Sequence, residues 1–225
     1  MTFVTEEAPA STDGRRQRGD STRRAILGRS MRLASAGGLE SLSIAHLADD
    51  LGMSKSGLFA HFGSKEELQL STIRAARRVF SDEAVTPALA AKEGLARLDA
   101  LMSAWQAYIA SDTFPGGCIL MEAAAEFDAR PGPVRDLVAE TMGMWMALLV
   151  EEAGHALERG ELAPDTDTRQ LAWELHAFGL ALNWDRQLFG GPDARDRATA
   201  AVRARLEAAA TAKGRKRLAK VAARG

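Results

Sequence analysis

A single cysteine, Cys118, stands among 225 residues. No disulfide can form within one such chain, no thiolate cluster can hold a metal, and the usage suits a reducing cytoplasm. Aromatic residues are scarce at 6% beside 46% hydrophobic residues, the balance of a helical protein built on alanine and leucine. No apolar run is long enough to span a bilayer. The first fourteen residues lack an apolar core flanked by basic residues, so no signal peptide is read there. We therefore expect a cytoplasmic chain with no membrane partner. Catalytic patterns are missing too: there is no Gly-x-Ser-x-Gly, no phosphate loop and no His-Glu-x-x-His. Glu152 and His155 have the spacing of half a di-iron carboxylate motif, but that motif must occur twice and does not. They are expected to be a helix surface or a satisfied interior pair. Cys118 lies in an apolar segment without a basic neighbour, the setting of an inert buried thiol. The chain is read as holding no cofactor, no metal and no catalytic residue.

Charge is present but unevenly placed. The formal net charge is −1. Residues 14–65 carry nine lysines and arginines against four acids, residues 66–210 fourteen against 23, and residues 211–225 six basic residues and no acid. A basic head and a basic tail thus flank an acidic body. DNA would repel the body, which favours docking through the head.

Within the head, residues 42–68 carry the densest pattern. Ser43 is placed to cap a helix whose buried side is Ile44, Leu47, Ala48 and Leu51. Gly52 follows where a chain leaving a helix often needs positive φ. Met53 plugs the turn, Ser54 caps a second, short helix, and Leu58 and Phe62 hold that helix against the first across the small Ala48. Ser64-Lys65-Glu66-Glu67 reads as a capping box opening a third helix. This is the pattern of a helix-turn-helix, whose second helix lies in the DNA major groove. The competing reading is a plain helical hairpin. The residues left over from the core, Ser54, Lys55, Ser56, Gly57, Phe59 and His61, argue against it, because they are small, polar or basic and sit on one exposed helix. Lys55 and Lys65 are expected to meet phosphates as point charges. Ser56, Gly57 and Phe59 are expected at the groove, Gly57 for close backbone approach and Phe59 for a thymine methyl.

The stretch Gly52-Met53-Ser54-Lys55-Ser56-Gly57-Leu58-Phe59-Ala60-His61-Phe62-Gly63-Ser64-Lys65-Glu66-Glu67-Leu68 resembles the DNA-binding domain of the TetR (TetR/AcrR) family of bacterial transcriptional regulators. The likeness covers about residues 22–70. Its departure is Phe59, where the family usually carries a tyrosine whose hydroxyl commonly touches a phosphate. The resemblance implies an all-α fold of about nine helices: a three-helix head over 21–70 and a helical body over 71–211. In it the first helix, about 22–36, supports the motif, with Arg24 as a phosphate contact beside Ser43. The helix from Lys65 to about Phe80 then links head and body. Residues 116–135 also look like the body of one TetR subgroup.

Outside the motif, residues 1–20 read as a disordered basic arm and 212–225 as a frayed basic tail. Thr86-Pro87 marks a helix start with proline at its first position. Leu98, Leu101, Met102, Trp105, Tyr108 and Ile109 form one apolar face. Short breaks at 114–117 and 130–133 bracket a buried helix. Long helices are expected from Val134 to about Arg159, from Thr168 to Phe189, and after Gly190-Gly191-Pro192. In the family the last two long helices pair with those of a second chain. We expect Leu171, Leu175, Phe178, Leu182, Val202 and Leu206 at that interface, with Trp173, His176, Leu180 and Trp184 on a second face. Trp105, Tyr108, Trp145 and His176 are either plain core residues or, as the resemblance implies, the lining of a small-molecule site, which calls for large apolar groups and a few polar handles.

These readings converge on a homodimeric, sequence-specific DNA-binding regulator. We expect a repressor released from a near-palindromic operator by a small, largely apolar effector. The alternatives are an activator or ligand-independent regulator with the same head, or a helical enzyme or adaptor acting through the body.

Overall fold

The computed structural model describes residues 14–111 and 113–222. Among these the chain is helical, with no β-strand and one isolated antiparallel bridge between Leu162 and Ala210. The helices are α1 (Gly14–Gly37), α2 (Ile44–Asp50), α3 (Lys55–Phe62), α4 (Lys65–Phe80), α5 (Thr86–Leu89), α6 (Leu95–Ala110), α7 (Ile119–Phe127), α8 (Pro133–Glu158), α9 (Thr168–Phe189), α10 (Ala194–Ala209) and α11 (Ala212–Ala222). None is long and apolar enough to cross a membrane. The chain divides into two compact units, one of residues up to Val79 together with Phe114–Thr141, the other of Phe80–Thr113 and Met142 onward. The expected body runs over residues 71–211. Instead α7 and the start of α8 pack in the same unit as the helix-turn-helix.

In the first unit the local signals act as read. Ser43 accepts from His46 N at 3.0 Å and caps α2; Ser54 accepts from Gly57 N at 3.0 Å and caps α3; Ser64 accepts from Glu67 N at 3.0 Å and opens α4. Gly52, at φ 63°, makes the bend between α2 and α3. Ile26, Leu39, Leu47, Ala48, Leu58, Leu68 and Ile73 are fully or nearly fully buried. At about 1.5–3 kcal/mol per large side chain, such burial is the main stabilising contribution. Residues 14–20, expected as part of a disordered arm, form the first turns of α1; residues 1–13 of that arm lie outside the described residues.

In the second unit Thr86 is not a fresh start. A π turn over Ser81–Val85 runs directly into α5. Pro87 has no N–H to donate and its ring crowds the carbonyl four residues back; the widened turn accommodates both. Two buried acids cap α6: Glu152 Oε2 accepts from Gly94 N at 2.9 Å and Glu161 Oε2 from Leu95 N at 2.9 Å. Glu152 also takes Arg97 at 3.1 Å, and His155 lies beside it at 3.6 Å. This pair is therefore interior and structural. The expected frayed tail is a correction: α11 is a helix whose Leu218 is fully buried. Arg217 meets Glu161 at 3.3 Å, and a Cβ on Gly214 would lie 2.0 Å from the Glu161 carbonyl oxygen. Amphipathic spacing around Leu218 was hidden by the charge of its neighbours.

Candidate nucleic-acid interface

Helix α3 is two turns long, capped at both ends, and held from beneath. Leu58 and Phe62 are its buried side. Gly63, at φ 72°, closes it, its N–H returning to the Phe59 carbonyl at 2.7 Å. Arg23 of α1 props the far end. Its guanidinium donates to the His61 carbonyl and, at 2.9 Å, to Ser71 Oγ, and lies 4.5 Å over the Phe62 ring. In the sequence Arg23 is one of several arginines along α1; only its place between α3 and α4 marks it as structural. Arg29 pairs with Asp50, and that bond holds the Asp50 carboxyl below its usual range and ties α1 to α2.

What remains faces solvent. Ser54, Lys55, Ser56, Phe59 and Ala60 are exposed, Phe59 at 52%. Among the described residues Phe59 has no ring contact, and it places a large apolar side chain beside Lys55 and the two serines. Gly57 and His61 are half-buried. Ser43 and Ser54 each bond a backbone N–H, and Ser54 Oγ lies 3.3 Å from Ser56 Oγ. Arg24 is exposed on α1. Lys65 departs from expectation: its ammonium donates to the Glu40 carbonyl at 2.6 Å and to Glu40 Oε1 at 2.8 Å, holding the Glu40 carboxyl below its usual range. Its charge is engaged within the unit by a solvent-exposed pair, so before any partner arrives it acts as a brace between α4 and the connector.

In the second unit the four expected effector-site residues come together. Trp105 lies 5.1 Å from Trp145 and stacks on His176 at 5.2 Å with the rings 2° apart; Phe80 bridges Tyr108 and Trp145 edge-on. Trp105 is pressed onto the backbone of α9, where a Cβ on Gly179 would stand 2.1 Å from its ring. Trp145 Nε1 and His176 Nδ1 are buried without a hydrogen-bond partner. Burial also pushes the His176 imidazole down from its ordinary value, which keeps it neutral. The cluster is thus an apolar, aromatic core with two unsatisfied polar atoms.

The expected interface residues fare differently. Leu171, Leu175, Leu182, Val202 and Leu206 are buried at 0–4% within the single chain, and Phe178 is half-buried. The four leucines and Val202 have no surface left for a second chain, which corrects the assignment for those five; only Phe178 keeps some. The exposed apolar residues of α9 are Trp173, Leu180, Trp184, Leu188 and Phe189. Periodicity alone marks both stripes as apolar and does not say which one α6 and α10 cover.

Residues 26–71 match the profile described as "Bacterial regulatory proteins, tetR family", and residues 94–202 that of the "Tetracyclin repressor-like, C-terminal domain". No curated protein matches the sequence. Among solved structures, a TetR transcriptional regulator from Chloroflexus aurantiacus is similar with TM-score 0.76 and 20% identity, covering 86% of this chain and 98% of that one. A regulator from Saccharomonospora viridis in complex with choline gives 0.70 and 22% over 84% and 96%. AibR in complex with isovaleryl coenzyme A and operator DNA gives 0.64 and 20% over 79% and 93%. At these identities the structures speak to the fold.

Proposed function

This chain belongs to the TetR family of bacterial transcriptional regulators, and from that premise we propose that it is a homodimeric repressor released from its operator by a small organic effector. The observation that carries the reading is the exposed face of α3. A doubly capped helix, with its core side satisfied and Arg23 fixing its end, offers Lys55, Ser54 and Ser56 to phosphates and Phe59 to a base edge. Ser43 at the start of α2 and exposed Arg24 on α1 are the further contacts we assign. A two-fold dimer would present two such helices to successive major grooves, so its operator would be near-palindromic.

The dimer surface we assign is the stripe Trp173, Leu180, Trp184 and Leu188 with Phe189. A contiguous apolar strip of this size on one helix is the mark of an interaction site. The effector site we assign is the cluster of Trp105, Tyr108, Trp145 and His176. Solved relatives of this fold hold choline or isovaleryl coenzyme A. The aromatic core of this chain favours an aromatic or lipophilic molecule, with an acceptor for Trp145 Nε1 and a polar group for His176 Nδ1. Such a molecule acts only through its difference in affinity between the DNA-bound and released dimer geometries.

The test is selection of bound duplexes from a random DNA pool by the purified protein, at two salt concentrations. Enrichment of a near-palindrome whose binding weakens with salt is the expected result. Recovery of no sequence, with only general salt-sensitive binding, would sink the reading of α3 as a base-reading helix in the unliganded protein.

A further inference from the structure

The connector between α1 and α2 is gripped from two sides within the first unit. From α7, the carboxylate of Glu126 accepts both Leu39 N, at 2.6 Å, and Glu40 N, at 2.9 Å. Gly38 beside them has φ 82°, and a Cβ there would come within 2.9 Å of Glu126 Oε1. The carboxylate thus occupies the space that a side chain would need. From α4, Gln69 Nε2 donates to the Leu39 carbonyl at 3.0 Å, and Lys65 holds the Glu40 carbonyl. The segment carrying α7 is itself seated on α1, where a Cβ on Gly116 would stand 1.6 Å from the Ser35 carbonyl oxygen. Glu126 lies 86 residues along the chain from Glu40 and falls within the stretch matched by the C-terminal profile.

We propose that Glu126 is a positioning residue for DNA reading: its carboxylate sets the connector that delivers Ser43 and α2, and through the packing of α2 on α3 it sets the attitude of the recognition helix. This rests on the DNA-binding function proposed above. Two main-chain N–H groups at a bend have no partner in a helix or sheet, so they depend on this acceptor. Bonds to a charged carboxylate are stronger than neutral ones and fix direction as well as distance. Three residues separate Glu40 from Ile44, too few to absorb a displaced connector before α2 begins. A base-reading group must be held to about half an ångström, so loss of this anchor reaches α3.

Charge gives the test its sign. Glu126 is an acid in a unit that meets a polyanion, so neutralising it would by electrostatics alone strengthen binding to any duplex. A positioning role predicts the opposite for the cognate sequence. The experiment compares full-length wild type and E126Q against the duplex recovered by selection and a scrambled duplex of equal length. Amide hydrogen exchange at Leu39 and Glu40 is followed in both proteins. The expected result is about a tenfold loss of affinity for the selected duplex, the scale of one charge-assisted hydrogen bond, with unchanged or tighter binding to the scrambled one and faster exchange at both amides. Should E126Q fail to fold, E126D keeps the charge and moves it by one methylene, and the same comparison applies. Undiminished affinity for the selected duplex, or unchanged exchange at both amides, overturns the proposal. If wild type itself does not distinguish the two duplexes, the DNA-binding function falls and takes this role with it; that outcome is separate because it appears before any substitution is made.

Discussion

Single residues here are decided by what they touch. Gly179 is small because the Trp105 ring lies on it, and Gly116 because the Ser35 carbonyl does; neither reason is visible in a helix pattern. His176 shows the electrostatic counterpart. Buried against Trp105, its imidazole is pushed below the ordinary value. The unfolded chain then binds the proton more readily than the folded one. The stability involved is full above the unfolded pKa of about 6.5 and is lost as pH falls toward the lower folded value. Thermal unfolding between pH 7 and pH 5 should show the wild type losing midpoint faster than His176→Phe, whose ring keeps the stack without titrating. Parallel curves for the two proteins would remove His176 as the responsible group.

Elements carry the next level. α3 is capped by Ser54 and Gly63 and propped by Arg23, so its outward face is set before any partner arrives. Lys55 on that face makes no ion pair among the described residues, unlike Lys65, whose ammonium is taken by Glu40. The two lysines should therefore part in behaviour. Lys55→Ala should weaken binding to selected and scrambled duplexes by similar factors and lower the slope of log K against log salt by about 1. Lys65→Ala should cost selected-duplex affinity while leaving that slope nearly intact. Titration of both variants at four salt concentrations checks it, and equal slope changes would restore Lys65 to the phosphate contacts.

For the whole molecule the proposed dimer turns on which surface a second copy would cover. α9 has two apolar stripes. Leu171, Leu175 and Leu182 are spent inside the chain, and Trp173, Leu180, Trp184 and Leu188 are left outside. Trp184→Glu should convert a dimer to a folded monomer by sedimentation equilibrium, with helical content kept. Leu175→Ala should instead lower stability by about 2–5 kcal/mol, as buried leucine truncations do, without changing the oligomeric state of the folded fraction. A Trp184→Glu protein that remains dimeric at micromolar concentration would mean that another surface joins the copies.

The sequence by itself determined the helix-turn-helix, since its caps, its Gly52 bend and its Leu58 and Phe62 core side are local signals three to four residues apart. It also marked Trp105, Tyr108, Trp145 and His176 as members of apolar helix faces, but not which of them would meet. Tertiary structure alone decided the assignments that depend on distant partners. Burial chose the α9 stripe that stays exposed. Glu40 gave Lys65 a partner within its own unit, and Leu218 turned a basic tail into a packed helix. Glu126, unremarkable in its own helix, became the acceptor for two amides far back in the chain. Periodicity records that a side is apolar or a residue charged; which neighbour satisfies it is settled only when segments far apart in the chain come into contact.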